Sequence, residues 1–497
     1  MRAHPHLYEI STWPYLERLS ARAGRPITIG SVPDGEWDRL HSLGFDLVYL
    51  MGVWQRSTIG RQIARSEPAL FSGYDSALPG WTLADIVGSP YSIAAYSPDP
   101  RIGTFGELDA VRRKLHRRGM GLVLDFVPNH TAFDHPWVTE HPQRYVIGSL
   151  ERFRAQPRDF RLAETSAGPL FVACARDPYF PPWTDAAQLN YFSTETQDEM
   201  IAQLKRIARH CDGVRCDMAM LVLGDVFAGT WGQIAARDPA EAAAPRTEFW
   251  ERLRQQLPGF LLIAEAYWDR EWALQQLGFS FTYDKRLYDR LLHETPASVR
   301  DYLRANLDFQ TRSVRFLENH DEPRSLAAFG PRLEAAAVVS GAVPGLRFYF
   351  DGQLEGRTRF SPIQLGHWAE EEPRTEVAAL YARLLEATNH PVFHDGDWKL
   401  LHPSPAGDDT YTDIVSCRWK LGTELRIVAA NLGHAGAQAF VPVADDLPAR
   451  PPAPVLLEDA LTGQRHRPDA SSLQDRGLFV SLEGGRAQLF RVTPGGK

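Results

Sequence analysis

The chain has 497 residues, 44% of them hydrophobic and 23% charged, with a formal charge of -8 at pH 7. This length and composition predict a globular protein with one large domain and one smaller domain. No basic block is present, which argues against nucleic acid or an anionic membrane as a partner. No segment is apolar for long enough to span a membrane, and the first residues do not resemble a signal peptide, so we expect a cytoplasmic protein.

Eight short apolar runs occur in the first 350 residues, each bounded by Gly, charged or turn residues. Runs of this length are typical of buried parallel strands. They lie at 6–12, 45–51, 121–127, 213–217, 261–265, 279–285, 313–318 and 345–350. Helical patterns fall between most of them, at 36–42, 104–116, 195–210, 248–256, 335–339 and 376–388. This alternation predicts an α/β fold, a (β/α)8 TIM barrel.

The clearest helical pattern is the one at 104–116. Thr104 and Glu107 have the spacing of a capping box, in which each side chain bonds the backbone N–H of the other residue. Leu108, Val111 and Leu115 share one face. We therefore expect a helix that packs this face against the barrel.

Two intervals depart from the alternation. About 60 residues, at about 131–192, are far more than an ordinary strand-to-helix connection needs, and they predict a small subdomain inserted after strand 3. Beyond residue 391, short alternating runs at 413–419, 424–430, 478–482 and 486–492 predict a C-terminal antiparallel β domain, with a Pro-rich loop at 449–454. The predicted domains are a catalytic barrel at 1–391, which includes the subdomain, and the β domain at 392–497.

The four cysteines have no spacing typical of a metal site. We expect all four to be reduced thiols that pack as small hydrophobic groups. They are Cys174, Cys211, Cys216 and Cys417.

Three carboxylates lie at the ends of predicted strands: Asp217, Glu265 and Asp321. In a β/α barrel the C-terminal ends of all strands meet at one face, so these three side chains are predicted to surround one substrate. Any one of them alone could be a member of a structural ion pair. Their occurrence together favours an active site.

The neighbours of two of these carboxylates predict different protonation states. Arg215 precedes Asp217 by two residues, so both side chains point to the same side, and the guanidinium favours the ionised carboxylate that a nucleophile needs. Glu265 has apolar residues before it and aromatic residues after it, which raise the pKa of a carboxyl group and suit a proton donor. Such a pair cleaves glycosidic bonds with retention when the carboxyl groups lie roughly 5 to 5.5 Å apart.

Asp321 is predicted to hold sugar hydroxyls. His130 and His320 each follow an Asn at a strand end. Both imidazoles can donate hydrogen bonds to a sugar while they are uncharged. Together with the two other carboxylates, these side chains predict a polar cavity for a neutral sugar.

Five segments carry a specific resemblance. DFVPNH (125–130), GVRCD (213–217), AEAYW (264–268) and ENHD (318–321) resemble the four ordered motifs of glycoside hydrolase family 13, the α-amylase family, and TDAAQLNY (184–191) resembles its fifth. The resemblance implies Asp217 as the nucleophile that forms a glycosyl-enzyme intermediate, Glu265 as the acid/base and Asp321 as the stabiliser of the transition state.

The same resemblance implies residues that contact the sugar. Arg215, His130 and His320 correspond to substrate contacts, and Asp125 to a residue that supports Arg215. Tyr91, in GSPYSIAAY, is similar to the tyrosine that stacks on the reacting sugar. Trp268 is a further candidate for stacking on a sugar ring, with packing of the subdomain as the alternative.

The chain also departs from the family pattern. Met220 and Leu221 stand where many starch-cleaving members have a Lys-His pair, and Ser92 stands where exo-acting α-glucosidases often have an Asp. Asn129 corresponds to the usual calcium ligand, but an Asn at a strand end can also cap a turn. We therefore expect no required cofactor, with structural calcium at Asn129 as the open alternative, and a substrate other than ordinary starch.

The leading hypothesis is a retaining α-glycosidase that cleaves α-glucosidic bonds in oligosaccharides or α-glucans by double displacement. The first alternative is a transglycosylase or isomerase that moves a glucosyl or maltosyl unit to an acceptor hydroxyl and acts on sucrose, trehalose or maltooligosaccharides. The second is a family-like binding protein without catalysis. The sequence leaves the bond position, the substrate length and the oligomeric state open.

Overall fold

The computed structural model describes residues 1–236, 247–447 and 455–494, so the loop predicted at 449–454 lies outside the described residues. Its centre is a closed barrel of eight parallel strands. We number them barrel strands 1 to 8 in chain order: His6–Ser11, Leu47–Met51, Gly121–Phe126, Gly213–Cys216, Leu261–Ala264, Phe281–Tyr283, Ser313–Arg315 and Leu346–Phe350. All eight predicted strands are therefore confirmed.

The first and last strands close the barrel. Barrel strand 1 pairs in parallel with barrel strand 2, with Leu7 opposite Leu47, and with barrel strand 8, with His6 opposite Arg347. Apart from Gly121, which is partly buried, the residues of these strands are buried, which is why their sequences read as continuous apolar runs. Their parallel direction places all C-terminal strand ends at one face of the barrel.

Helices surround the barrel, and others lie in the subdomain and beyond residue 391. They span Thr12–Ala23, Asp34–Ser42, Thr58–Ser66, Phe71–Ala77, Phe105–His116, Pro136–Glu140, Leu150–Ala155, Thr194–Ile207, Gly224–Ala235, Phe249–Gln256, Glu271–Gln276, Lys285–His293, Pro296–Tyr302, Leu307–Thr311, Ser325–Phe329, Leu333–Ala342, Thr375–Thr388, Val392–Asp395 and Ala470–Asp475. Within the described ranges, none of the helices has the length and apolar content needed to cross a membrane.

The helix Phe105–His116 forms for the predicted reason. The Glu107 N–H donates to the Thr104 hydroxyl oxygen at 3.3 Å, and the Thr104 N–H donates to the Glu107 carboxylate at 2.8 Å. This capping box satisfies N–H groups that the first turn of a helix leaves free. Leu108, Val111 and Leu115 are fully buried along its inner face.

The predicted subdomain follows barrel strand 3. Its core is an antiparallel sheet of His130–Ala132, Ile147–Gly148, Phe160–Thr165, Gly168–Ala175 and Trp183–Gln188. The strand Trp183–Gln188 pairs with His130–Ala132, with Gln188 opposite His130. The subdomain therefore begins and ends beside the C-terminal face of the barrel.

The C-terminal region forms two antiparallel sheets, as predicted. One has the order Asp397–Leu401, Ile414–Leu421, Glu424–Asn431, Ala487–Pro494, Val455–Asp459 and Arg465–His466, and the other has the order Ser404–Pro405, Ala437–Val441 and Leu478–Leu482. Their inner faces share a hydrophobic core of their own. Trp419 ties this region to the barrel, because its indole N–H donates to the Ala342 carbonyl at 2.5 Å.

Barrel strand 7 ends earlier than predicted, at Arg315 instead of residue 318. The Asn319 side-chain oxygen accepts from the N–H groups of Asp321 and Glu322 at 2.8 and 3.0 Å, which folds the chain into a turn. Arg315 itself lies inside the barrel and forms a fully buried ion pair with Asp284. Asp321 thus follows a loop, whereas Asp217 and Glu265 directly follow their strands.

Candidate active site

Two of the three predicted catalytic carboxylates lie at neighbouring strand ends. Barrel strands 4 and 5 pair with Cys216 opposite Ala264, so Asp217 and Glu265, the next residue of each strand, are adjacent. Met218 adopts a left-handed backbone conformation with φ 40°. The Met218 N–H donates to the Glu265 carboxylate at 2.7 Å.

The Arg215 guanidinium joins the three carboxylates. One terminal nitrogen donates to Asp217 Oδ1 at 2.7 Å, and the other lies 2.8 Å from Glu265 Oε2 and 3.9 Å from Asp321 Oδ2. Arg215 is buried behind them, and its Cζ lies 5.2 Å from the centre of the Tyr91 ring. The prediction that these five side chains lie together is therefore met by their positions, while their roles stay predictions.

The environments of Glu265 and Asp217 differ. Burial raises the pKa of Glu265 to about 7, against the opposing effect of Arg215. Burial also raises the pKa of Asp217, but the charge of Arg215 and its hydrogen bond to Asp217 both act to lower this pKa. The Tyr267 hydroxyl donates to Glu265 Oε1 at 3.0 Å. Glu265 is thus placed to carry a proton near neutral pH, as a general acid must.

His320 holds Asp321 at the cavity. Its Nε2 lies 2.9 Å from Asp321 Oδ2 and 2.6 Å from the Tyr91 hydroxyl oxygen, and its Nδ1 lies 2.6 Å from Glu9 Oε1. Glu9 is fully buried within barrel strand 1. The imidazole therefore connects barrel strand 1 to the loop after barrel strand 7.

The expectation that His320 is uncharged is wrong. Burial alone would lower its pKa, but Asp321 and Glu9 outweigh burial and raise the pKa well above the ordinary value. For Asp321, burial disfavours ionisation, but the charge and hydrogen bond of His320 lower the pKa of this carboxyl. Asp321 adjoins His320 in the ENHD segment, whereas the second carboxylate, Glu9 of barrel strand 1, cannot be inferred from that segment.

His130 fits the expectation of an uncharged imidazole. Burial lowers its pKa to about 4. Its Nδ1 lies 3.4 Å from the amide nitrogen of Asn129, which is only a donor, so Nδ1 accepts and Nε2 carries the hydrogen. Asp125 lies beside Arg215 in the barrel register and interacts with its charge, whereas its hydrogen bonds come from Tyr49 and the Gly52 N–H, at 2.5 and 2.6 Å.

These side chains surround a cavity of about 700 Å³. Besides the three carboxylates, its lining includes Tyr91, His130 and Trp183, and among the residues that the prediction did not assign to substrate are Asp185, Phe180, Met218 and Tyr267. Tyr267 lies in the AEAYW segment and Asp185 in TDAAQLNY, so those two were available as candidates. Phe180 offered no signal, because the loop that carries it reaches the barrel only in three dimensions.

The other residues singled out from the sequence differ in their position relative to the cavity. Trp268 packs edge-on against Tyr179, with ring centres 5.0 Å apart, and does not belong to the cavity lining, so its contact with substrate stays a prediction. Ser92 lines the cavity, and its hydroxyl donates to the Asp185 carbonyl at 2.7 Å. Met220 and Leu221 are buried in the core, which places no polar group there for a sugar.

The surroundings of Asn129 do not fit a calcium ion. Its side-chain oxygen accepts from the Gln188 amide at 3.0 Å, and its side-chain nitrogen donates to the Gln188 oxygen at 3.3 Å. Calcium takes six to eight oxygen ligands, usually with carboxylates among them. Across the described ranges, there is no group of three or more His, Cys, Asp or Glu side chains that could hold a metal.

Comparison with known proteins agrees with this geometry. The family model "Alpha amylase, catalytic domain" matches residues 37–173. Alpha-amylase 3 of Dictyoglomus thermophilum is 22% identical over 54% of this chain and 53% of its own length. Residues 37–173 are thus similar to the α-amylase catalytic domain. A second relative, the alpha-1,4-glucan:maltose-1-phosphate maltosyltransferase of Rhodospirillum rubrum, is 25% identical over 92% of this chain and 61% of its own length.

The chain spans about half to three-fifths of the length of these two curated relatives. Solved structures match over nearly the full length. The maltogenic alpha-amylase AmyB of Thermotoga neapolitana has a TM-score of 0.68 at 19% identity and covers 98% of both chains. The alpha-amylase of Geobacillus thermoleovorans, solved in complex with acarbose, has a TM-score of 0.64 at 16% identity and covers 99% of both chains. These structures show that the chain shares their fold.

Proposed function

We propose that this chain is a retaining α-glycosidase that cleaves α-glucosidic bonds in oligosaccharides or α-glucans. The observation that carries the proposal is the bridge from Arg215 to both Asp217 and Glu265 at 2.7 and 2.8 Å. It places a charge-paired carboxylate and a carboxyl whose pKa is about 7 on neighbouring strand ends in one cavity. This is the pairing that double displacement requires.

In the first step, a carboxylate oxygen of Asp217 attacks the anomeric carbon and the bond to the leaving oxygen breaks. Glu265 gives its proton to that oxygen, so the leaving group departs as a neutral alcohol. The product is a glycosyl ester on Asp217. In this proposal Asp321 and His130, which both line the cavity, bind sugar hydroxyls that shift as the ring flattens.

In the second step, Glu265 takes a proton from water and the resulting oxygen attacks the same carbon. The ester bond to Asp217 breaks and the carboxylate is restored. Two displacements at one carbon retain its configuration. The pKa of about 7 suits both uses of Glu265, because the group exchanges its proton near neutral pH.

The charge of the cavity favours an uncharged substrate. Five carboxyl groups line it, and among the described residues the lining contains neither Lys nor Arg; the five are Asp177, Asp185, Asp217, Glu265 and Asp321. A phosphate group would meet these carboxylates without a cation to pair with. We therefore expect maltooligosaccharides to be used far better than maltose 1-phosphate. Equal kcat/KM for the two would contradict this choice of substrate.

Replacement of the nucleophile tests the mechanism. Asp217→Asn should lower kcat on maltooligosaccharides by on the order of 10³-fold or more. Asp217→Gly in the presence of azide should restore turnover and give a glycosyl azide of inverted configuration, because azide then performs a single displacement. Glu322→Gln is the matched control, since Glu322 pairs with Lys285 at 3.1 Å outside the cavity lining. Unchanged turnover in Asp217→Asn would refute the proposal.

Transfer to a sugar acceptor is the second candidate function. Phe180 lines the cavity, yet 67% of its surface is exposed, and an aromatic face at a cavity rim suits stacking on an acceptor sugar. Chromatography of products from maltooligosaccharides, sucrose and trehalose separates the two functions. Hydrolysis releases one reducing end for each bond cleaved, whereas transfer gives longer or rearranged sugars without that release.

The proposal includes a cytoplasmic location. Its support is that Cys174, Cys211, Cys216 and Cys417 are all free and buried, as expected in a compartment that keeps thiols reduced. Fractionation of cells that express the chain, with detection by antibody, tests the location. Recovery outside the cytoplasmic fraction would refute it.

A further inference from the structure

The side-chain amide of Gln188 lies at the centre of three carbonyl oxygens. Its nitrogen donates to Asn129 Oδ1, to the Asn129 backbone oxygen and to the Leu189 backbone oxygen, each at 3.0 Å. Gln188 is fully buried and Asn129 is 1% exposed. Three oxygens thus share the two hydrogens of one amide group, away from water.

Converging carbonyl oxygens are what a hard cation such as calcium requires. Here an N–H₂ group with partial positive charge takes that position and satisfies the oxygens without a metal. The Asn129 nitrogen returns a hydrogen bond to the Gln188 oxygen at 3.3 Å, so both amides are used in full. A buried carboxylate in place of this amide would instead face three oxygens without a hydrogen to share.

This amide lies where the subdomain meets the barrel. Gln188 ends the last strand of the subdomain sheet, directly opposite His130. Asn129 belongs to the loop after barrel strand 3, and its amide nitrogen lies 3.4 Å from Nδ1 of His130. The contacts of Gln188 therefore join the subdomain to the barrel and reach the ring that lines the cavity.

We propose that the Gln188 amide takes the structural place of a bound cation, holding the subdomain against barrel strand 3 and positioning His130. Gln188 is a positioning residue, because it acts on the substrate through Asn129 and His130. The effect on catalysis rests on the proposed function. The effect on folding does not, so a melting experiment separates the two.

The decisive variant is Gln188→Glu, which keeps the shape and replaces the amide nitrogen with an oxygen. Melting is followed in EDTA, in calcium chloride and in magnesium chloride. We expect the wild type to melt at the same temperature in all three. Gln188→Glu should melt more than about 5 °C lower in EDTA and recover in calcium, because a carboxylate and three carbonyl oxygens, with water completing the coordination, now form a cation site. Its KM for maltooligosaccharides should rise in EDTA and recover in parallel.

Gln353→Glu is the matched control. Gln353 is also buried, but its amide nitrogen donates to the Tyr381 hydroxyl at 2.9 Å, and that hydroxyl can turn to donate instead. Any loss in this control should be the same in EDTA and in calcium. Gln188→Met has neither an amide nor a carboxylate, so it should melt at a lower temperature than the wild type, and calcium should not change that temperature. This variant provides the test if Gln188→Glu does not fold.

Three outcomes would overturn the proposal. The first is a wild type that melts lower in EDTA and recovers in calcium, since a cation would then already be bound. The second is a Gln188→Glu variant as stable as the wild type in EDTA. The third is a loss in Gln188→Glu that calcium does not reverse. If the melting results hold but no variant or wild type turns over any sugar, the proposed function fails and the structural role of Gln188 stands.

Discussion

Glu265→Gln removes the proton donor from the cavity and keeps the size of the side chain. Glu265 is buried and accepts from the Met218 N–H at 2.7 Å and the Tyr267 hydroxyl at 3.0 Å. The oxygen of a Gln side chain can accept one of these bonds, so we expect the strand end to keep its shape. The proton is what the variant loses.

The size of the effect follows from the pKa of Glu265, which burial raises to about 7. In the wild type, kcat/KM should halve near pH 7 and then fall about tenfold for each further pH unit, because the acid must be protonated in the free enzyme. Gln cannot ionise, so the variant should lose this alkaline limb. Its rate on maltooligosaccharides should fall on the order of 10² to 10⁴-fold, the usual contribution of a general acid.

The assay measures kcat/KM between pH 5 and 9 for two substrates. Cleavage of a maltooligosaccharide releases a sugar alcohol, which is a poor leaving group and needs the proton. Cleavage of an aryl α-glucoside releases an acidic phenol, which can leave without it. We expect the variant to lose far more activity on the former than on the latter. An alkaline limb that persists in Glu265→Gln, or an equal loss on both substrates, would refute the assignment of Glu265 as the acid.

Further variants test other contacts. Glu9→Gln removes the carboxylate 2.6 Å from His320 and should lower the pKa of that imidazole. Because His320 would then be misplaced in the cavity, kcat/KM should fall on the order of 10²-fold. An unchanged pH profile would contradict this. Asp212→Asn should cost about 1–2 kcal/mol of unfolding free energy at pH 7 in urea, since Arg112 bonds its carboxylate at 2.7 Å. Burial opposes ionisation of Asp212, but its partners lower its pKa, so this stabilisation exists above the ordinary Asp pKa and the difference should vanish in acid. Arg315→Met should cost about 3–5 kcal/mol in the same assay, because it leaves its carboxylate partner buried and unpaired.

Much of the fold could be predicted because its signals are local. Each barrel strand is a short apolar run, and the box of Thr104 and Glu107 marks its helix without reference to the rest of the chain. Barrel topology then supplies the long-range information, since parallel strands end at one face. The proximity of Asp217 and Glu265 follows from these two facts alone.

The partners of the site residues could not be predicted in the same way. Asp321, the next residue, and Glu9, 311 positions away, both raise the pKa of His320, and the contact with Glu9 depends on the folded barrel. Asn129 is paired with Gln188 because the subdomain folds back on the loop that carries it. A sequence pattern shows which side chains point inward, but which of them meet is set by three-dimensional packing.

Because its first and last strands pair with each other, the barrel can close only after the ribosome has made the last strand. The ribosome makes barrel strand 1 before the other seven, and barrel strand 8, which pairs with one of its two edges, comes 341 residues later, where His6 meets Arg347. At ordinary elongation rates this delay is roughly 20 to 70 seconds, during which strand 1 has an unpaired edge that can associate with other chains. Glu9 and His320 also remain apart for most of that time. The nascent chain therefore needs protection from aggregation until barrel strand 8 emerges, and the complete cavity forms only after that.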